Sequence, residues 1–163
     1  MSQSDPQRLQ LGKAIGRIPS GVYILTTRHE NRAGAIMASW VQQASFEPPM
    51  LSVALAKGRP IAESIRASKQ FALSILPEHD KTLMKHYARP MDDDVDPFAG
   101  VRVSNSPGRM PILLDALAWL ECRVVNICDA GGDHELFIAT IIAGEMLKEA
   151  KPFTHVRGSG FHY

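Results

Sequence analysis

Apolar residues along this chain fall into two rhythms. From residue 20 to 56, and again from 117 to 147, they form short β-branched or aromatic runs or alternate with polar residues, as strands do. Only three short stretches carry helical spacing. The first, Pro6 to Ile18, places Leu9, Leu11, Ala14, Ile15 and Ile18 for an amphipathic helix. Asp5 suits its N-cap and Pro6 its first position, and Pro19-Ser20-Gly21 ends it. Gly21–Thr27 then reads as a strand and the polar run His29–Arg32 as a hairpin tip. The return, Gly34–Phe46, is long enough for two strands or one bent strand, and Pro48-Pro49 stops it because neither proline offers a ladder N–H.

Met50–Ala56 predicts a buried strand, and Lys57-Gly58-Arg59-Pro60 a tight connection into a helix over Ile61–Ser68. Gln70–Leu76 is a strand, and Asp80–Ala88 a helix with Leu83, Met84 and Tyr87 on its apolar face. Arg89–Gly100 is loop-like; its aspartates lack the Gly and terminal Glu of a calcium-binding EF-hand loop. Further strands are expected at Gly100–Ser104, Leu117–Asp129, His134–Leu147 and within Phe153–Val156, with Asp129–Asp133 as the turn between the two long ones. Long paired strands with short helices point to an antiparallel barrel with helical decoration, not a βαβ sheet. No repeat or linker divides the 163 residues, so a single domain over 1–163 is expected.

Charge narrows the partners. With 18 Lys plus Arg against 17 Asp plus Glu, the chain lacks the basic excess of a nucleic-acid binder, although a small anionic ligand needs only one or two cations. The first residues do not follow the pattern of a signal peptide, and no apolar window is long enough to span a bilayer. A cytoplasmic protein without a membrane partner is the expectation. Cys122 and Cys128 do not match CxxC spacing; lying an even number of residues apart on one strand, they are expected to face the same side as buried thiols. The six histidines are scattered, and no metal site is expected. No dinucleotide GxGxxG after a strand, phosphate loop, HExxH helix or GxSxG elbow is present.

Three local features can carry chemistry. Before the helix at Pro60–Ile61, Lys57 and Arg59 add cations to a helix start, and Gly58 lets the chain approach a ligand; together they can hold a phosphate or form a solvated basic turn. Along Ala38-Ser39-Trp40-Val41 and Ser45-Phe46-Glu47-Pro48-Pro49, small and hydroxyl residues alternate with aromatics. That suits either a planar heteroaromatic ligand or ordinary core packing. Gly131-Gly132-Asp133-His134 offers an Asp-His pair at a turn, a polar handle or a solvated loop.

Taken in order, Pro19-Ser20-Gly21-Val22, Gly34 to Trp40, Ser45-Phe46-x-Pro48-Pro49, the strand followed by Lys57 and Arg59, and Gly132-Asp133-His134 resemble the flavin reductase-like domain family. The likeness runs from about residue 10 to the end, and the ordered set carries it, no single motif being specific. Within the family the sequence is most similar to the C-terminal flavin reductase module of flavodiiron proteins of oxygenic phototrophs. It shares the character of RIPSGVYILTTRHENRAGAIMASWVQQASF, LMKHYAR, PILLDALAWLECRV and RGSGFHY. No diiron or flavodoxin-like module accompanies it, so a stand-alone relative is expected.

The resemblance implies a mainly β fold, a six-stranded antiparallel Greek-key split β-barrel with short helices, the FMN-binding split barrel. It implies a homodimer with FMN near the subunit interface. Ala38, Ser39, Trp40 and Val41 would hold the edge of the isoalloxazine ring, Ser45 and Phe46 would continue that contact, and Lys57 and Arg59 would face the phosphate. His134 would lie where NAD(P)H presents its nicotinamide. Trp40 departs from the small polar residue of many members and narrows the face on which nicotinamide stacks. Phe161-His162-Tyr163 would reach the partner's pocket. The implied activity is an FMN-dependent NAD(P)H:flavin or acceptor oxidoreductase, in which the cofactor carries the chemistry and no catalytic triad is needed. The alternatives are an FMN-binding electron-transfer module reduced by a protein partner, and a split barrel that binds no flavin.

Overall fold

The structure, a computed structural model, describes residues 5–88 and 95–161. Helix α1 (Pro6–Ile15) begins as expected: the Asp5 carboxylate accepts from the Gln7 N–H, and Pro6 occupies the first turn. It ends three residues early, at Gly16. The strands that follow are β1 (Ser20–Gly21), β2 (Tyr23–His29), β3 (Arg32–Ala38), β4 (Val41–Ser45) and β5 (Met50–Ala56). Helix α2 (Pro60–Ser68), β6 (Gln70–Ile75) and helix α3 (Thr82–Tyr87) complete the first half. The second half holds β7 (Val103–Asn105), β8 (Pro111–Leu113), β9 (Ala118–Asp129), β10 (His134–Met146) and β11 (Thr154–His155). The two shortest pairings, β1 against β11 and β7 against β8, join expected strands (β11 within Phe153–Val156, β7 overlapping Gly100–Ser104) to partners, β1 and β8, that the hydrophobic pattern did not predict. Runs of two or three residues carry no periodicity to detect. The aspartates at 92–94 lie outside the described residues.

Seven strands form one antiparallel sheet in the order β3-β2-β6-β9-β10-β5-β4. Its two edge strands, β3 and β4, are separated in the chain only by Ser39 and Trp40. Three peptide steps span at most about 11 Å, so the two edges must approach each other and the sheet curls into a split barrel. The six-stranded barrel expected from the resemblance corresponds to counting β3 and β4 as one bent strand. The split lies where that strand breaks.

The barrel interior is filled by Leu25, Leu51, Val53, Leu55, Phe71, Leu73, Cys122 and Phe137, with α2 contributing Ile61, Ala62 and Ile65. A second cluster lies outside the barrel wall, where Val22 and Ile24 pack with Leu83 and Tyr87 of α3 and with Leu113 of β8. Strand β2 is therefore covered on both faces. This explains why its burial is continuous from Ile24 to Thr27, two threonines included, whereas that of β5, with a more open outer face, alternates. A third cluster seats Trp119 beneath Met110 and Ile112. Among the described residues no helix is long and apolar enough to cross a membrane.

Expectations of burial fail in two places. Leu9, Leu11 and Ile18, which gave the first stretch its amphipathic spacing, are exposed. Cys122 is buried but Cys128 is exposed, because the β9–β10 register slips between Asn126 and Val124. The extra residue, Val125, forms a bulge that turns the rest of the strand to the opposite face. Burial pushes the Cys122 thiol up to about 12, with the nearby Glu121 carboxylate adding to the shift.

Candidate functional site

A cleft of about 320 Å³ opens beside the barrel split. Ile36, Met37, Ala38 and Ser39 from the end of β3 line it, as do Ala54, Leu55 and Ala56 from the end of β5. Arg59, His134 and His155 supply polar groups, and Met84, Tyr87 and Ala88 close the α3 side. Apolar walls with a few polar groups at the rim, at the small end of ligand-pocket volumes, suit one flat ring system.

Four of the nine residues singled out in the sequence come together here: Ala38, Ser39, Arg59 and His134. The sheet brings them together. Ala56 pairs with His134 across β5 and β10, and the Ala54 N–H donates to the Trp40 carbonyl at 3.0 Å, tying the β3–β4 break to β5. Trp40 borders the cleft, its ring 4.6 Å from that of His134 and its other company the Arg157 guanidinium, 5.1 Å from the ring centroid. Val41 packs against the barrel core instead of lining the cleft. Ser45 and Phe46 lie at the far end of β5, outside the cleft lining, and Phe46 is 88% exposed.

The basic corner divides its two cations. Lys57 Nζ lies 2.8 Å from Asp129 Oδ2, and its backbone N–H donates to the Asp133 carbonyl, so this residue buttons the β9–β10 turn onto the end of β5. The hydrogen bond from Lys57, aided by one from the Gly131 N–H, holds the Asp129 carboxyl below its ordinary range. The Arg59 guanidinium forms no hydrogen bond or ion pair among the described residues, and no side chain caps the start of α2 behind it. Gly58 adopts φ 76°, the left-handed region, which lets the chain turn tightly into the helix. His134 Nδ1 sits 2.7 Å from Asp133 Oδ1, a bond that fixes the ring and lowers the Asp133 carboxyl. An apolar slot with an uncommitted guanidinium and an uncapped helix start at one end fits a planar ring bearing an anionic tail.

Sequence reasoning missed the part that His155, Met37 and Tyr87 play in this site. Tyr87, expected on the apolar face of its helix, packs in the outer cluster while also walling the cleft; its hydroxyl is buried with no hydrogen-bond partner among the described residues. His155 reaches the cleft through β11, which pairs with β1 by only two residues, Ser20↔His155 and Gly21↔Thr154. A strand was expected within Phe153–Val156, but its pairing with β1, which sets His155 in the wall, has no local signal. Of the C-terminal residues expected at a partner's pocket, Phe161 lies over the N-terminal helix with Arg8 above its ring, while His162 and Tyr163 are outside the described residues.

A split barrel with such a cleft defines a flavin-binding class of fold, and comparison with known proteins places the chain within it. Residues 15–162 match the flavin reductase like domain, and the chain belongs to that family. It is 41% identical over 155 residues to diflavin flavoprotein A 1 of Synechocystis sp. (strain ATCC 27184 / PCC 6803 / Kazusa), covering 94% of this chain and 27% of that protein. The chain thus spans about a quarter of the length of that relative, consistent with the expected likeness to one module of a flavodiiron protein. Among solved structures, a nitrilotriacetate monooxygenase component B homologue from Mycobacterium thermoresistibile superimposes with a TM-score of 0.84 at 26% identity, covering 96% of this chain and 86% of that one. The flavin reductase PheA2 does so at 0.78 and 28%, covering 94% and 95%.

Proposed function

We propose that the cleft binds FMN and that the protein is an NAD(P)H:flavin or acceptor oxidoreductase working in the cytoplasm. The observation that carries this reading is the convergence of Ala38, Ser39, Arg59 and His134 on one apolar slot. When bound, FMN would supply a two-electron acceptor, at its N5, for hydride from nicotinamide C4. The chain's own residues bind and orient. Ala38, Ser39 and the backbone leading to Trp40 and Val41 hold the ring edge, while Arg59 and the start of α2 hold the phosphate. Lys57 supports that phosphate corner by pinning the neighbouring turn. His134, fixed by Asp133, contacts the nicotinamide and helps to keep the reacting atoms about 3–3.5 Å apart. The walls of the slot exclude water, which strengthens each of these polar contacts.

The protein acts as a homodimer in this proposal. Ser45 and Phe46, too far along β5 to meet their own cleft, reach the cofactor of the partner. The exposure of Phe46 supports that arrangement.

A second reading is favoured by one observation. Trp40, clasped between His134 and Arg157, crowds the mouth where a nicotinamide would stack. An electron-transfer module that receives electrons from a reduced protein would tolerate that crowding. Anaerobic stopped-flow of the FMN-loaded protein decides between the two: bleaching of the flavin band by NADH or NADPH is the expected result. Failure of both nucleotides alongside bleaching by a reduced protein donor selects the module. Protein that takes up no FMN on titration refutes both readings and leaves a flavin-free barrel.

A further inference from the structure

Among the described residues two imidazoles line the cleft, and they keep different company. His134 is committed, with one nitrogen on Asp133 and its ring against Trp40. His155 is half-buried in the same wall, and its imidazole forms no hydrogen bond or ion pair among the described residues. Its position is nevertheless well determined. The Ser20↔His155 pairing anchors its backbone next to Val22, another wall residue, and two residues later the Arg157 N–H donates to the Gly16 carbonyl at 3.1 Å. Gly16 permits that approach, since a Cβ there would come within 2.6 Å of the Arg157 carbonyl oxygen. The fold therefore ties the C-terminal segment to the N-terminal helix on one side of His155 and to β1 on the other. A donor of adjustable charge is left facing an apolar slot.

We propose that His155 is a cofactor-contact residue, one that donates to the electron-rich edge of the bound flavin and favours its reduced form. This inference rests on the FMN reading given above. Reduction of a flavin adds two electrons and fewer than two protons at neutral pH, so the ring gains negative charge. A donor held in a low-dielectric slot stabilises that charge more than it stabilises the neutral oxidised ring. His134 is less suited to the task, because the Asp133 carboxylate already balances any charge it acquires. Among the described residues, the other ionisable or charged groups facing the cleft are Arg59 at the head of α2, Tyr87 on α3 and His134 on β10. Arg157 borders it from the segment that carries His155 and is engaged with Trp40. Among side-chain types, histidine is the one whose ordinary titration range lies near neutrality.

The test compares the FMN-loaded wild type with His155→Asn and His155→Gln, using FMN titration followed by spectroelectrochemistry at pH 6 and pH 8. Both variants are expected to bind oxidised FMN within threefold of wild type. At pH 6 they should prefer the reduced over the oxidised form at least tenfold less, a fall of about 30 mV for a two-electron couple. The gap should narrow at pH 8, where an ordinary imidazole carries less charge. A second measurement needs no variant: in NMR titration of the wild-type imidazoles, the His155 pKa should rise when oxidised FMN is replaced by reduced FMN. Equal potentials in all three proteins, or a His155 titration unmoved by reduction, overturn this inference while leaving the FMN site intact. Wild type that binds no FMN overturns the FMN reading and this inference together.

Discussion

The two ends of β5 were both expected to touch the cofactor, and the fold treats them differently. At one end, the turn from Ser45 to Pro49 projects Phe46 into solvent, 88% exposed. At the other, Lys57 to Arg59 closes against the β9–β10 turn and flanks the cleft. Seven residues of strand at about 3.3 Å each separate them by roughly 20 Å. From β5 the cleft takes only Ala54, Leu55 and Ala56, all at the second end. Neighbouring motifs in a sequence become remote when an extended strand lies between them, and one subunit then offers a ligand only one end of it.

Four measurements break or sharpen this contrast. The largest effect is expected from replacing Lys57 and Arg59 together by Ala. FMN binding should weaken by about a hundredfold, since charge-assisted hydrogen bonds contribute about 1.5–3 kcal/mol each. Riboflavin, which lacks the phosphate, should change less than about threefold, and equal losses for the two ligands would misplace the phosphate.

Next comes the corner's backbone. A Cβ at Gly58 would meet only open space, but the residue sits at φ 76°, so Gly58→Ala should cost about 1–2 kcal/mol through the backbone alone. Urea denaturation reads that cost.

Phe46→Ser should leave stability to urea within about 0.5 kcal/mol, as expected for a solvent-facing side chain. Weaker dimerisation by sedimentation, together with weaker FMN binding, would place this end of β5 on a partner's cleft. If neither changes, the end has no part in the site.

The smallest effect concerns acid. The folded-state carboxyls of Asp129 and Asp133 lie below their ordinary range, so their stabilisation is present above about pH 4 and is lost as the pH falls through the lowered values. Asp129→Asn should therefore be slightly less stable than wild type at pH 6. The gap should narrow as the pH falls below about 4, the ordinary carboxylate range, as read by urea denaturation at pH 6 and at acid pH.

Much of the fold was legible beforehand because long elements announce themselves by period. The N-cap at Asp5, the α2 start at Pro60, the strands over 50–56 and 70–75 and the long β9–β10 hairpin all follow from local chemistry. The bulge at Val125 was not legible, since one extra residue leaves composition untouched while reversing the side that Cys128 faces. Nor was the division of labour between Lys57 and Arg59, which are two residues apart and alike in charge. An ion pair to a turn some seventy residues away distinguishes them.

The amino-acid order by itself determined which segments extend, which coil and which carry charge, because backbone preference and apolar spacing act over a few residues. It also carried the ordered motifs by which the family is recognisable. Only the tertiary structure decided that β3 and β4 occupy opposite edges of one sheet, that the split between them lies beside a cleft, and that His155 stands in its wall. Those outcomes depend on pairing between strands distant in sequence, where register and closure select the neighbours and no local signal encodes them.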